Sequence, residues 1–151
     1  MTRFAITAAA LMLAAPAFAE SHAASGDAAA GEQAFNRQCV TCHNVVDDEG
    51  EVLAGRPNMR TGPNLYGIAG GQIASVEDFR YGPGIQQLSE EGMVWNEENF
   101  VAYLQDTTGW LREATGDDRA RSRMSWRVRN PEDAVNIYAY LASLGGDMAA
   151  E

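Results

Sequence analysis

The chain contains two cysteines, and both lie in the run Cys39-Val40-Thr41-Cys42-His43. On a helix, residues three and four apart share a face, so Cys42 and His43 both lie beside Cys39. Two thiols and an imidazole so placed can form thioethers to a porphyrin edge while the ring nitrogen reaches its iron. C-x-x-C-H is the spacing of covalent haem attachment. Three rival chemistries fit less well. A disulfide across so short a loop is strained and leaves His43 unexplained. A thioredoxin-like redox pair needs a βαβ setting that this chain does not offer. A zinc site needs a closed tetrahedron, and the other histidine, His22, sits in a small polar leader.

With His43 as one axial ligand, the sixth position decides the chemistry. An open position admits peroxide or a small gas, whereas a thioether closes the iron to everything but electrons. Beyond the N-terminal segment the chain carries Met59, Met93, Met124 and Met148. Met148 lies past the last expected helix, and Met59 and Met93 are in or beside loops. Met124 sits in Arg-Ser-Arg-Met-Ser-Trp, a segment returning between two helices. Pattern favours Met124 without eliminating Met59 or Met93, since methionine also fills gaps in ordinary cores.

The elements that must position these groups are helical. Asp27 is an N-cap for a helix through Gly31 and Phe35 to the cysteines. Residues 44–64 and 67–84 are broken by glycine and proline and read as loops, with at most a helical turn near Val76–Phe79. Asn96, followed by Glu97 and Glu98, caps a second helix whose apolar face carries Phe100, Val101, Tyr103 and Leu104. Thr107-Thr108-Gly109 is expected to end it. Asn130 and Pro131 open the last helix, in which Ala134, Ile137, Tyr138, Leu141 and Leu144 recur at helical spacing before Gly145-Gly146. No sustained period-2 strand is visible. The expectation is an all-α domain of three to five short helices and long loops, with a core too thin to stand without a bound group.

Arg3, the apolar stretch Phe4–Ala15 and the triplet Ala17-Phe18-Ala19 read as a secretory signal peptide over residues 1–19. A flexible leader over 20–26, a domain over 27–146 and a tail over 147–151 complete the organisation. All 11 basic residues are arginine, and losing Arg3 leaves 10 against 21 acids, a net charge of −11. Such a surface excludes general nucleic-acid binding, which needs a basic footprint.

A wider set of residues in order resembles the class I cytochromes c, most nearly the cytochrome c2 and c550 carriers of alphaproteobacteria. It comprises Gly-Asp-Ala-Ala-Ala-Gly-Glu (26–32), Phe35-Asn36, Cys39–His43, Thr-Gly-Pro-Asn-Leu-Tyr-Gly (61–67), Phe79-Arg80-Tyr81-Gly82, Trp95 and Ala-Tyr-Leu (139–141). The resemblance implies one haem c, covalent through Cys39 and Cys42, with His43 and Met124 as axial ligands. It implies a Pro63 carbonyl on the far nitrogen of His43 and a haem propionate bonded by Tyr81 and Trp95. It also implies a Tyr103 hydroxyl facing the methionine sulfur, and an α-helical crossing at Gly31, Phe35, Ile137 and Tyr140. The chain departs from the pattern at Thr107, where proline is common, and at Ser122, where threonine is usual. Both departures are expected to loosen the methionine loop. An extra residue at Arg37-Gln38 leaves the register into Cys39 open.

The function so implied is that of a periplasmic, soluble, monomeric carrier of single electrons, without catalysis and without a small-molecule substrate. Its partners would be a cytochrome bc1 complex as donor and a terminal oxidase, photosynthetic reaction centre or periplasmic reductase as acceptor. Arg119, Arg121, Arg123, Arg127 and Arg129, with Arg37 and Arg60, would form a positive rim at the haem edge of an acidic molecule, steering partners to it. Two alternatives are a haem enzyme or gas sensor with a displaceable sixth ligand, and a dedicated subunit of a periplasmic dehydrogenase.

Overall fold

The computed structural model describes residues 24–145. The segment read as a signal peptide, most of the expected leader, His22, Met148 and the expected tail lie outside the described residues. Five helices follow in order: α1 (Ala28–Gln38), α2 (Pro83–Glu90), α3 (Glu97–Gln105), α4 (Thr107–Thr115) and α5 (Pro131–Leu144). Between α1 and α2 runs a long loop that carries a two-stranded antiparallel ribbon, β1 (Val45–Val46) with β2 (Val52–Ala54).

The helix starts follow from capping chemistry. The Asp27 carboxylate accepts from the backbone N–H groups of Ala29 and Ala30 at 2.8 and 2.9 Å. Asn96 does the same for Asn99 at 2.8 Å, and Asn130 for Glu132 at 3.1 Å. Each bond satisfies an N–H that the helix itself cannot. Residues 24–26, the end of the expected leader, are tied down: both the backbone N–H and the hydroxyl of Ser25 donate to the Glu97 carboxylate.

Two expectations about α3 and its surroundings are corrected. Thr107-Thr108-Gly109 does not terminate helical structure; it opens α4. Asp106 is the C-cap of α3 and the N-cap of α4, its side chain accepting from the Gly109 N–H at 3.2 Å. A capping carboxylate thus converts what reads as a stop into a corner. The second correction is α2, which begins at Pro83 and lies partly in a stretch read as loop. Proline at its first position and the buried pair Ile85 and Leu88 supply the reason.

The core forms where α1 crosses α5. Phe35 and Tyr140 meet with ring centroids 5.6 Å apart, and Ile137, Tyr138 and Leu141 are buried beside them. Phe100 of α3 packs on Tyr138 at 5.4 Å, and the Tyr138 hydroxyl donates to the Trp95 carbonyl at 3.2 Å. The crossing needs a glycine at Gly31. A Cβ there would overlap the Asn136 carbonyl and stand 2.8 Å from the Tyr140 Cβ. Gly31→Ala should therefore lower the unfolding free energy of the holoprotein by about 2–3 kcal/mol, the usual cost of overpacking a tight core. Denaturant titration checks this; an unchanged midpoint would mean that the helices can part at no cost.

Candidate functional site

The Cys39–His43 run lies just beyond α1 rather than on it. Cys39 is the C-cap, with its N–H on the Phe35 carbonyl at 2.8 Å. Helical hydrogen bonding nevertheless carries on through the motif. The N–H groups of Cys42 and His43 both donate to the Cys39 carbonyl, at 3.0 and 2.9 Å. The turn therefore preserves the one-sided presentation that the spacing predicts, with α1 running through Arg37-Gln38 to its C-cap at Cys39. Both thiols are unpaired and half-buried. Burial pushes the Cys39 thiol up to about 12, with Cys42 beside it adding to the rise. A redox-active thiol pair works through a lowered thiol pKa, so this environment opposes dithiol chemistry.

The loop after the ribbon fixes the imidazole. His43 Nδ1 lies 3.0 Å from the Pro63 carbonyl oxygen. A carbonyl can only accept, so Nδ1 carries the proton and Nε2 keeps its lone pair. Burial lowers the His43 pKa below its ordinary value, with the Pro63 bond opposing, so the ring is held neutral as a metal ligand requires. Gly62 approaches so closely that a Cβ on it would overlap the His43 ring. The Gly62 N–H donates to the Cys42 carbonyl at 2.7 Å, and the Leu65 N–H to the Asn44 carbonyl at 3.0 Å. Asn64 acts as a stand-in strand: its amide donates to the Val46 carbonyl at 2.7 Å and accepts from the Val46 N–H at 2.9 Å. The ribbon therefore anchors the loop that orients the histidine.

The irregular segment between α4 and α5 brings in Met124. The Met124 N–H donates to Ser122 Oγ at 3.1 Å, and Ser122 Oγ in turn pairs with the Tyr103 hydroxyl at 2.8 Å. The Thr107 hydroxyl donates to the Met124 carbonyl at 2.9 Å. The Tyr103 hydroxyl lies against Ser122 Oγ, and Tyr103 lines the same cavity as Met124. One expectation changes here. Thr107 and Ser122, expected to loosen this loop, each hold one backbone polar group of Met124. Burial raises the Tyr103 pKa, with the Ser122 bond opposing, so the phenol remains a hydroxyl at neutral pH.

Cys39, Cys42, His43, Pro63, Tyr81, Trp95, Tyr103 and Met124 all line one cavity of about 410 Å³. Neither Met59 nor Met93 does; Met93 packs on the core and pairs its backbone with Leu88 and Ile73. Phe35, Leu65, Ile85, Leu104 and Leu141 supply apolar wall. Trp95, 6% exposed, stacks on Trp110 at 5.4 Å and leans on Tyr103 at 5.1 Å. Tyr81 is steadied by an edge contact with Phe79 at 4.9 Å. A haem fits these residues. The cavity has the size and apolar character of a cofactor site, and two thiols, a neutral imidazole and a thioether converge on it.

Of the seven arginines expected at the rim, three lie beside an aspartate and four have no ion pair among the described residues. Arg37, Arg119 and Arg127 stand 3.8, 3.5 and 3.7 Å from Asp133, Asp117 and Asp106. Arg121 and Arg123 line the cavity, and no acidic partner lies within ion-pair distance of them among the described residues. Arg123 reaches across to the Arg80 carbonyl at 2.9 Å. Trp126, 55% exposed, lines the same opening. Gly62, Asn64 and Trp126 belong to the site but carry no chemistry of their own, so no reactive side chain marks them in the sequence.

The family model for cytochrome c matches residues 28–145. The chain is 59% identical over 121 residues to cytochrome c2 of Rhodovulum adriaticum, covering 80% of this chain and 94% of that protein. It superposes on the crystal structure of cytochrome c2 from Rhodobacter sphaeroides with a TM-score of 0.76 at 46% identity, covering 80% of this chain and 98% of that one. Ferric cytochrome c-550 from Paracoccus versutus gives a TM-score of 0.72 at 40% identity, covering 80% and 98%.

The close approach of Gly62 generates a test that concerns the histidine alone. Gly62→Ala must push the His43 ring off the Pro63 carbonyl or move the loop, at a cost of about 1–3 kcal/mol. The holoprotein should lose that much stability in denaturant, and the NMR signal of the His43 Nδ1 proton should shift or broaden. A variant with both unaltered would show that the loop has slack.

Proposed function

The chain belongs to the cytochrome c family, and from that premise we propose that it is a soluble periplasmic shuttle for single electrons, closed at the iron by His43 and Met124. One haem c, held by thioethers at Cys39 and Cys42, supplies the one-electron couple. The chain's own residues do the rest. Pro63 fixes the tautomer and orientation of His43 and raises its basicity. Met124 offers a soft thioether, which favours ferrous iron and gives a higher potential than a second imidazole would. Trp95 and Tyr81 carry the indole N–H and phenol that would bond a propionate. The apolar walls exclude water, so the surroundings change little when the charge at the centre changes.

The observation that carries this reading is the double hold on Met124, through Thr107 and Ser122. A side chain whose backbone is fixed at both ends suits a permanent ligand better than one that must leave to admit a substrate, and that argues against an enzyme or a gas sensor. Export follows from the segment Arg3 to Ala19 and from the cofactor chemistry. No helix among the described residues is long and apolar enough to cross a membrane. The partners would be membrane redox complexes, a cytochrome bc1 donor and an oxidase or reaction-centre acceptor, met by a monomer at the opening marked by Trp126, Arg121 and Arg123.

Two measurements bear on this. The oxidised protein should show the weak long-wavelength sulfur-to-iron band. Met124→Ala should abolish it, lower the reduction potential and admit cyanide or CO; a variant that kept the parent's potential and ligand exclusion would sink the assignment. Electron transfer to an acidic partner should slow as salt rises, because steering by exposed arginines is screened beyond about 10 Å at 0.1 M. Arg121→Gln/Arg123→Gln should flatten that dependence. Rates indifferent to salt in the parent would remove the docking edge.

A further inference from the structure

The first position of a helix suits proline, which can make no side-chain hydrogen bond. This chain has Thr107, 3% exposed, at the first position of α4. Asp106 caps that helix, so the threonine hydroxyl is not needed for capping. It donates instead to the Met124 carbonyl at 2.9 Å, and no other donor among the described residues reaches that oxygen.

The remaining bonds of the segment place this one. Ser122 Oγ takes the Met124 N–H, and the Ser122 N–H donates to Thr108 Oγ1 at 3.3 Å. The Val128 N–H donates to the Leu104 carbonyl at 2.8 Å, and Arg127 pairs with Asp106. Apart from the Ser122 bond within the loop and the reach of Arg123 to the Arg80 carbonyl, these contacts end on α3, α4 or the corner between them. The methionine loop is therefore docked on that corner, and Thr107 is the contact that grips Met124 at its carbonyl. A withdrawal that carries the Met124 peptide with it would leave a part-buried carbonyl without its donor.

We propose that Thr107 is a positioning residue for Met124, its hydroxyl setting how readily that side chain withdraws from the iron. The proposal rests on the reading of Met124 as the sixth ligand. It makes this chain's closed state harder to open than that of an otherwise identical chain with proline at 107.

The oxidised holoprotein tests it through two readouts, the pH at which the sulfur-to-iron band is lost and the rate of cyanide binding. Thr107→Val keeps the shape and removes the hydroxyl. Thr107→Pro does the same with a residue suited to the first turn of a helix. Both should lower the pH midpoint by about one unit and speed cyanide binding about tenfold, the weight of one shielded hydrogen bond. Thr107→Ser restores the hydroxyl and should stay within about twofold of the parent. Valine and proline variants matching the parent would overturn the proposal, as would a serine variant shifted as far as valine, since packing of the methyl would then be the cause. Met124→Ala separates the two readings. If it retains the band, the ligand assignment fails and this inference with it; if it loses the band while the Thr107 variants stay silent, only this inference fails.

Discussion

The cavity between the Cys39–His43 turn and the methionine segment sets the terms for the rest of the structure. A chain of this size buries little apolar surface per residue, and long loops bury less still. Here the loops from Thr61 to Tyr81 and from Arg121 to Trp126 all present side chains to one lined space. They share that surface instead of one another. Regular structure is confined to where it frames the space: α1 and α5 cross behind it, α3 and α4 form one side, and the short ribbon secures the loop over His43.

Two kinds of hold operate at this cavity. The cysteines are placed by local hydrogen bonding, since the turn from Cys39 to His43 closes on its own carbonyl. Met124 is placed in part from a distance: Thr107 of α4 holds its carbonyl, and Tyr103 of α3 backs the Ser122 hydroxyl that takes its N–H. The difference matters for an electron carrier, whose iron must keep both ligands through each change of charge. The histidine is secured by proximity to the covalent anchors. The methionine has no covalent neighbour, and its loop must be held by the fold. Thr107, Ser122 and Tyr103 do that work.

The exposed arginines illustrate how far charge counting goes. Seven were expected to form a positive rim, yet three pair with nearby aspartates. Exposed pairs of this kind contribute little to stability, but they remove net charge from the surface that a partner would meet. Of the other four, Arg121 and Arg123 line the opening beside Trp126, and Arg60 and Arg129 do not line it. Steering would then depend on a small patch against an acidic background, which favours orientation over tight binding.

Much of the fold was legible because it is written locally. Asp27, Asn96 and Asn130 mark helix starts through bonds spanning two or three residues, and the apolar period of α5 needs no partner to be seen. The α3–α4 corner was misread because Asp106 caps in both directions, and a threonine pair followed by glycine looks the same whether it ends a helix or opens one. The ribbon was invisible because its strands are short and Asn64, outside both, completes the pairing. The sequence by itself determined the cofactor and its attachment, since thioether spacing and the imidazole beside it are matters of one turn of backbone. Only the tertiary structure decided that Met124, and neither Met59 nor Met93, reaches the cavity, and which hydroxyls hold it there. The physical reason is range: a turn is closed by neighbours in the chain, whereas a ligand loop is closed by packing against helices whose positions no local pattern records.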